Sequence, residues 1–171
     1  MSLIPSSGKA RWAIKVCVIT GGLMVSGALF ASRFVIGVNP QSGLGCIDAN
    51  LLLIDKADTT PKKGQIFAYR AMQAEPIYSN GTLMAKYLAA VPGDTVEVTR
   101  DYRILVNGQE FTRGLPLLID VPVDELDRFI GRRTLQADEY WMLGDKPRSF
   151  DSRYWGPIHA SQIVGRGYVI F

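Results

Sequence analysis

From Val16 to Ser32 no charge interrupts the chain, and after Arg33 the apolar character resumes through Phe34-Val35-Ile36-Gly37-Val38. A membrane-spanning helix needs roughly 20 mostly apolar residues. Trp12 to Ser32 supplies them, with Lys15 near one end able to carry its amine out to the interface on an apolar stem. The organisation expected is an amino-terminal tail over residues 1–11, a transmembrane anchor over 12–36 and a β-rich domain over 37–171. A cleaved signal peptide is the rival reading of the same run, because small residues such as Ala28 and Ala31 stand near its end.

Beyond the anchor the apolar positions fall into short runs separated by turn residues. Leu51-Leu52-Leu53-Ile54 reads as a buried strand. Gln65-Ile66-Phe67-Ala68-Tyr69 reads as an alternating one after the Pro61-Lys62-Lys63-Gly64 turn. Thr95–Val98 and Arg103–Val106 form a hairpin pattern, and Asn107-Gly108 turns the chain into Gln109-Glu110-Phe111, the strongest short hairpin signal present. Tyr140–Leu143 and Ile163–Phe171 add two further strands. Only Val123 to Ile130, with Asp124 as its cap, has apolar residues at helical spacing. The fold class expected is mainly β, behind one amino-terminal helix.

Charge sharpens the topology. The formal charge is +3, but Lys9, Arg11, Lys15 and Arg33 all precede the first acidic residue, Asp48; subtracting those four leaves the remainder at −1. Nucleic-acid binding therefore lacks its main electrostatic support. Positive residues upstream of an apolar span place the amino terminus in the cytoplasm and the folded domain on the far side. That means a single-pass protein with its β domain on the far side of the membrane. Of the two cysteines, Cys17 lies inside the span and Cys46 beyond it, a topology that disfavours a disulfide.

Composition narrows the chemistry. With one histidine, His159, and one cysteine outside the span, a zinc site of nitrogen and sulfur ligands is not expected, and no cofactor is implied. A Ser-His-Asp triad would rest on His159 alone, which reads as a turn residue after Gly156-Pro157-Ile158. No phosphate loop is present. A lysine base remains. Lys86 stands in the otherwise uncharged stretch Thr82–Val91, which reads as an interior strand, where desolvation favours a neutral amine. The alternative is a lysine whose stem covers apolar surface while its head stays in water. A hydroxyl partner such as Ser149 could aim the amine without adding charge. Asp151 near Lys86 would favour the ammonium, so it is better matched to Arg153 in a planar, two-bond pair.

A lysine six residues before Pro92-Gly93-Asp94, followed by Gly144-Asp145 and then Ser149-Phe150-Asp151-Ser152-Arg153-Tyr154-Trp155-Gly156-Pro157, resembles the type I signal peptidases (family S26). The resemblance covers roughly residues 38–171. It implies a β fold with a Ser-Lys dyad in which Lys86 is the general base, Ser149 orients its amine, Asp151 and Arg153 form the supporting pair, and Ser152 lines the site. The short stretch Leu115–Arg133 resembles the conjugative-transfer branch of TraF type more than housekeeping members with an extra domain.

The nucleophile departs from the family pattern, a serine soon after the anchor and followed closely by proline. Counting back from Leu51–Asp55, the spacing of the conjugative branch places Cys46 there, followed by Ile47-Asp48-Ala49 without a proline. Asn39-Pro40-Gln41-Ser42 also resembles that branch's approach to its serine and nominates Ser42. A thiol, with its lower pKa, is the easier group for a lysine to activate, and catalysis would give Cys46 a reason to be free. Neither candidate has a hydroxyl two residues earlier, at Leu44 or Pro40, so the nucleophile's own N–H would serve the oxyanion. The resemblance implies precursor polypeptides as partners, pilins or other exported proteins of a conjugative, type IV secretion apparatus, met at the lipid surface. Housekeeping signal peptidase activity and a non-catalytic docking role on the same fold are the alternatives.

Overall fold

In the computed structural model, residues 8–38, 46–72, 74–75, 77–118 and 123–170 are described. The chain divides into two units, residues 1–34 and 35–171. The first contains a single long helix, α1, Gly8–Arg33. At 1.5 Å per residue its 26 residues extend about 39 Å, and its apolar window has a mean hydropathy of 1.9. It is long and apolar enough to cross a bilayer. Arg33 occupies the last turn, where a cation complements the helix dipole, and its guanidinium lies 5.1 Å from the centroid of the Phe34 ring. The apolar character after Arg33 belongs to a strand, β1 (Phe34–Val38).

The second unit is built from two sheets. The larger contains β1, β2 (Leu51–Asp55), β3 (Ile66–Ala71), β4 (Thr82–Ala90), β9 (Glu139–Leu143), β10 (Ile158–His159) and β11 (Ile163–Val169), in the order β1-β2-β11-β3-β4-β9-β10. The smaller contains β5 (Thr95–Val98), β6 (Arg103–Val106), β7 (Gln109–Arg113) and β8 (Gly131–Thr134), in the order β7-β6-β5-β8. The mainly β fold expected from the sequence is the fold found. β5 and β6 alternate half-buried with buried residues, as a sheet with one covered face requires. Their buried side chains, Val96, Val98, Ile104 and Val106, pack with Trp141 and Leu143 of β9 into one core cluster. The Asn107-Gly108 turn has φ of 51° and 80°, the left-handed pair that a tight hairpin demands.

Two elements differ from the sequence reading. β3 was expected to alternate, yet Ile66, Phe67, Ala68 and Tyr69 are all buried, because the strand lies between β11 and β4 and is covered on both faces. The short helix expected over Val123–Ile130 is present as a 3-10 helix, Val123–Phe129, with the Ile130 N–H bonding Asp127 O across three residues at 3.2 Å. The side chain of its expected cap, Asp124, lies outside the described set. A single helical turn that periodicity does not announce, α2 (Ser152–Trp155), follows Asp151, whose carboxylate accepts the Arg153 N–H and caps it.

Candidate active site

β4 carries Lys86 into the interior. Opposite Phe67 of β3, the lysine is 4% exposed, and its Nζ lies 3.1 Å from Ser149 Oγ. Ser149 is itself buried and belongs to the turn between β9 and α2, where its N–H bonds Lys146 O at 3.1 Å. Two segments far apart in sequence thus meet through one amine and one hydroxyl.

The turn is held by an ion pair with no solvent contact. Arg153 Nε donates to Asp151 Oδ1 at 2.8 Å and Nη2 to Oδ2 at 2.9 Å, both side chains fully buried. Asp151 also accepts the Gly144 N–H at 2.8 Å, while Arg153 donates to the carbonyls of Gly144, Pro147 and Gly114 at 3.1, 3.0 and 3.3 Å. A buried pair stabilises only when its remaining hydrogen-bonding groups are filled, and here both partners are saturated. Ser152 is buried as well, but its hydroxyl accepts the Met142 N–H at 3.0 Å. Its hydroxyl is engaged with β9, where the sequence reading set it among the lining residues.

Cys46 enters from the segment before β2. Its carbonyl accepts the Asp145 N–H at 3.2 Å, so the main chain beside it is tied to the same turn. Burial pushes the thiol pKa up; the charge of Lys86 and hydrogen bonds involving Lys86, Ser149 and the Phe150 N–H outweigh that effect and bring it below the ordinary thiol value. Gly144 makes this convergence possible. A Cβ there would stand 2.6 Å from both Cys46 O and Ser149 Cβ and would overlap Ser149 Oγ. Tyr69, fully buried behind the site, has its phenol pKa pushed well up by burial first and then by the charges of Asp151 and Cys46, and its hydroxyl lies 3.9 Å from Met84 Sδ.

A groove of about 330 Å³ opens over Cys46 and Lys86. Its walls include Ala49, Leu52, Leu83, Ala85 and Phe150, apolar and in part small. Along one side, β4 pairs with β3 throughout Thr82–Tyr87 but meets β9 only from Tyr87 onward, leaving the edge before Lys86 unpaired by β9. Ser42, the other nucleophile candidate, falls at a position outside the described residues, as do Leu44 and Pro40. His159 is exposed and lies 3.2 Å from Asp138, away from the groove's lining. Among the described residues no group of three His, Cys, Asp or Glu side chains offers a metal its ligands.

The profile described as signal peptidase, peptidase S26, matches residues 9–171. The chain belongs to that family. It is 30% identical to a protein named signal peptidase I from Leptolyngbya laminosa, over 97% of this chain and 83% of that one. To the signal peptidase I of Pseudomonas aeruginosa it is 24% identical, over 87% of this chain and 60% of the other. Among solved structures it is similar to a crystal structure of a signal peptidase I from Enterococcus faecalis, with 27% identity, 63% of this chain and 96% of that one covered, and a TM-score of 0.39. Membership in the S26 family makes the chain signal-peptidase-like, of a proteolytic hydrolase class. Gly144, Phe150 and Tyr69 escaped the sequence reading; the Gly144-Asp145 pair carried a signal for the first, read there only as part of a motif.

Proposed function

We propose that this S26 family member is a membrane-anchored endopeptidase in which Cys46 is the nucleophile and Lys86 its base. The observation that carries this reading is that Cys46 and Lys86 line one open groove, with the Lys86 amine 3.1 Å from the Ser149 hydroxyl and the Cys46 carbonyl tied to the same turn. Lys86 takes the thiol proton and the thiolate attacks the scissile carbonyl. The backbone N–H of Cys46 donates to the oxyanion. Lys86 then returns its proton to the leaving amine, and water, deprotonated by the neutral amine, resolves the thioester. Ser149 positions Lys86, and the Asp151–Arg153 pair fixes the turn that holds Ser149.

A precursor would lie extended along the free edge of β4, where main-chain bonds to a sheet edge give affinity and wall residues give side-chain selectivity. Small walls such as Ala49 and Ala85 favour small residues beside the cut. With α1 as anchor and its positive flank in the cytoplasm, the groove would face the periplasm, where exported precursors emerge. The short connection from Leu115 to Arg133 favours the conjugative-transfer branch, with pilin maturation for type IV secretion as its role.

Cleavage of a pilin precursor and of a general secretory precursor by the purified chain tests both levels. The reading expects Cys46→Ala and Lys86→Met to abolish cleavage while Ser42→Ala retains it. Loss in Ser42→Ala alone would return the nucleophile to serine. A preference for the general precursor would remove the conjugative role while leaving the dyad.

A further inference from the structure

Side chains alternate along a strand, so Ala85 of β4 points to one face of the sheet and Met84 to the other. Each face has its own surroundings. Ala85 packs against the cluster that contains Ala49 and Leu52, whereas Met84 and Phe150 pack against the cluster that contains Phe67 and Tyr69. Both sets reach the groove over Cys46 and Lys86, whose lining includes Ala49, Leu52 and Ala85 together with Met84, Phe150 and Tyr78. One wall is aliphatic and in part small, and the other is large and partly aromatic.

Further rings hold the aromatic wall in place. The Phe150 ring centroid lies 4.5 Å from that of Trp155, edge to face, and 5.6 Å from that of Tyr154. Tyr78 stands 6.0 Å from Phe150, centroid to centroid, and is 38% exposed, so part of its ring is uncovered beside the groove. Its turn is fixed by hydrogen bonds. The Tyr78 N–H donates to the carbonyl of the fully buried Ala74 at 2.9 Å, and the Gly81 N–H donates to Ala71 O at 2.7 Å. Neither aromatic side chain takes part in the chemistry proposed above.

The edge of β4 that β9 leaves unpaired before Lys86 supplies the register. A peptide added to that edge is extended, and its side chains alternate between the same two walls. With a small side chain beside the cut directed to Ala49 and Ala85, the residue before it is directed to the other wall. We infer that Tyr78 and Phe150 are specificity-determining residues that select a large apolar or aromatic side chain at the second residue before the scissile bond. The inference rests on the endopeptidase reading and adds to its small-residue preference one of opposite size, a single position away. Half-burying a phenyl group against apolar walls favours it over a methyl group by about tenfold.

The test measures binding apart from cleavage. The full chain carrying Cys46→Ala, in neutral detergent micelles, is titrated against dye-labelled precursor peptides with Ala beside the scissile bond and Phe, Ala or Asp at the residue before it, and anisotropy gives each Kd. Expected is binding of the Phe peptide about tenfold tighter than the Ala peptide, with the Asp peptide weakest. A peptide with Phe and Ala exchanged, which turns the ring towards Ala49 and Ala85, should bind no better than the Ala peptide. Adding Tyr78→Ala, on an exposed turn, or Phe150→Leu should cut the preference to about threefold or less. With Cys46 in place, the Phe peptide should be favoured in kcat/KM chiefly through a lower KM, the mark of ground-state binding. Equal binding of the Phe and Ala peptides, equal binding of the exchanged peptide, or a preference kept in both Tyr78→Ala and Phe150→Leu would overturn the inference. Preferential binding without cleavage by the Cys46 chain would remove the endopeptidase reading and leave the wall, and cleavage without preference would do the reverse.

Discussion

Asp151→Asn keeps the shape of the side chain and removes its charge. Arg153 would then remain 2% exposed with its carbonyl contacts to Gly144, Pro147 and Gly114 but without the carboxylate that neutralises it. Removing one partner of a buried pair costs about 3–5 kcal/mol, because the other charge stays desolvated. For a chain of this size each kcal/mol moves the midpoint by roughly 2–4 °C, so the expected fall is about 6–20 °C. The assay is thermal unfolding followed by near-ultraviolet circular dichroism in detergent, which reports Trp141 and Trp155 beside the turn. Asp151→Leu combined with Arg153→Met should recover part of the loss, since an apolar pair leaves no orphan charge. A midpoint within about 2 °C of the unmodified chain for Asp151→Asn would refute the claim that this pair holds the turn.

The remaining predictions follow from the same convergence. Gly144→Ala forces a Cβ to within 2.6 Å of Cys46 O and Ser149 Cβ, so it should cost about 1–3 kcal/mol by overpacking and separate Ser149 from Cys46; cleavage and thermal unfolding would both fall, and unchanged values in both would show that the turn yields freely. Ser149→Ala should slow cleavage about fivefold to thirtyfold through the loss of one or two kcal/mol of transition-state positioning, and should raise the pH midpoint for alkylation of Cys46, because the hydrogen bond from Ser149 is one cause of its lowered pKa. In a Cys17→Ser background, iodoacetamide should modify Cys46 with a midpoint below the ordinary thiol value, about 8.5, and Lys86→Met should raise that midpoint, as burial is then opposed only by the hydrogen bonds from Ser149 and the Phe150 N–H. Linkage gives the sign for stability. A thiol whose folded pKa is depressed contributes stability that is full above its unfolded value and is lost as pH falls through the folded value, so Lys86→Met should flatten the rise in stability on approaching pH 8.5 from below.

Lys86 was legible because burial leaves a compositional mark: a lysine alone among uncharged residues in a strand-length run. The Ser149–Arg153 segment was legible as a resemblance, and its chemistry could be reasoned from charge, since a carboxylate suits a guanidinium better than an amine that must lose its proton. The hairpin at Asn107-Gly108 was written in two residues whose backbone tolerates positive φ. Contacts between distant segments were not legible in this way. That Gly144 leaves space for Ser149 and Cys46 depends on two chain segments approaching one point, and no local pattern encodes it. The double covering of β3 depends on strand order, which β11 sets from the far end of the chain. α2 is too short for periodicity to reveal, and Val123–Phe129 carries helical spacing yet closes its hydrogen bonds one residue earlier.

The most direct test of the account is to find which atom becomes acylated. The Cys17→Ser chain is mixed with an excess of precursor peptide, quenched in acid within one turnover, and mapped by mass spectrometry before and after neutral hydroxylamine. The account predicts a hydroxylamine-labile thioester on Cys46 that does not form in Lys86→Met. An acyl group on Ser42, or turnover that continues in Cys46→Ala, would contradict it.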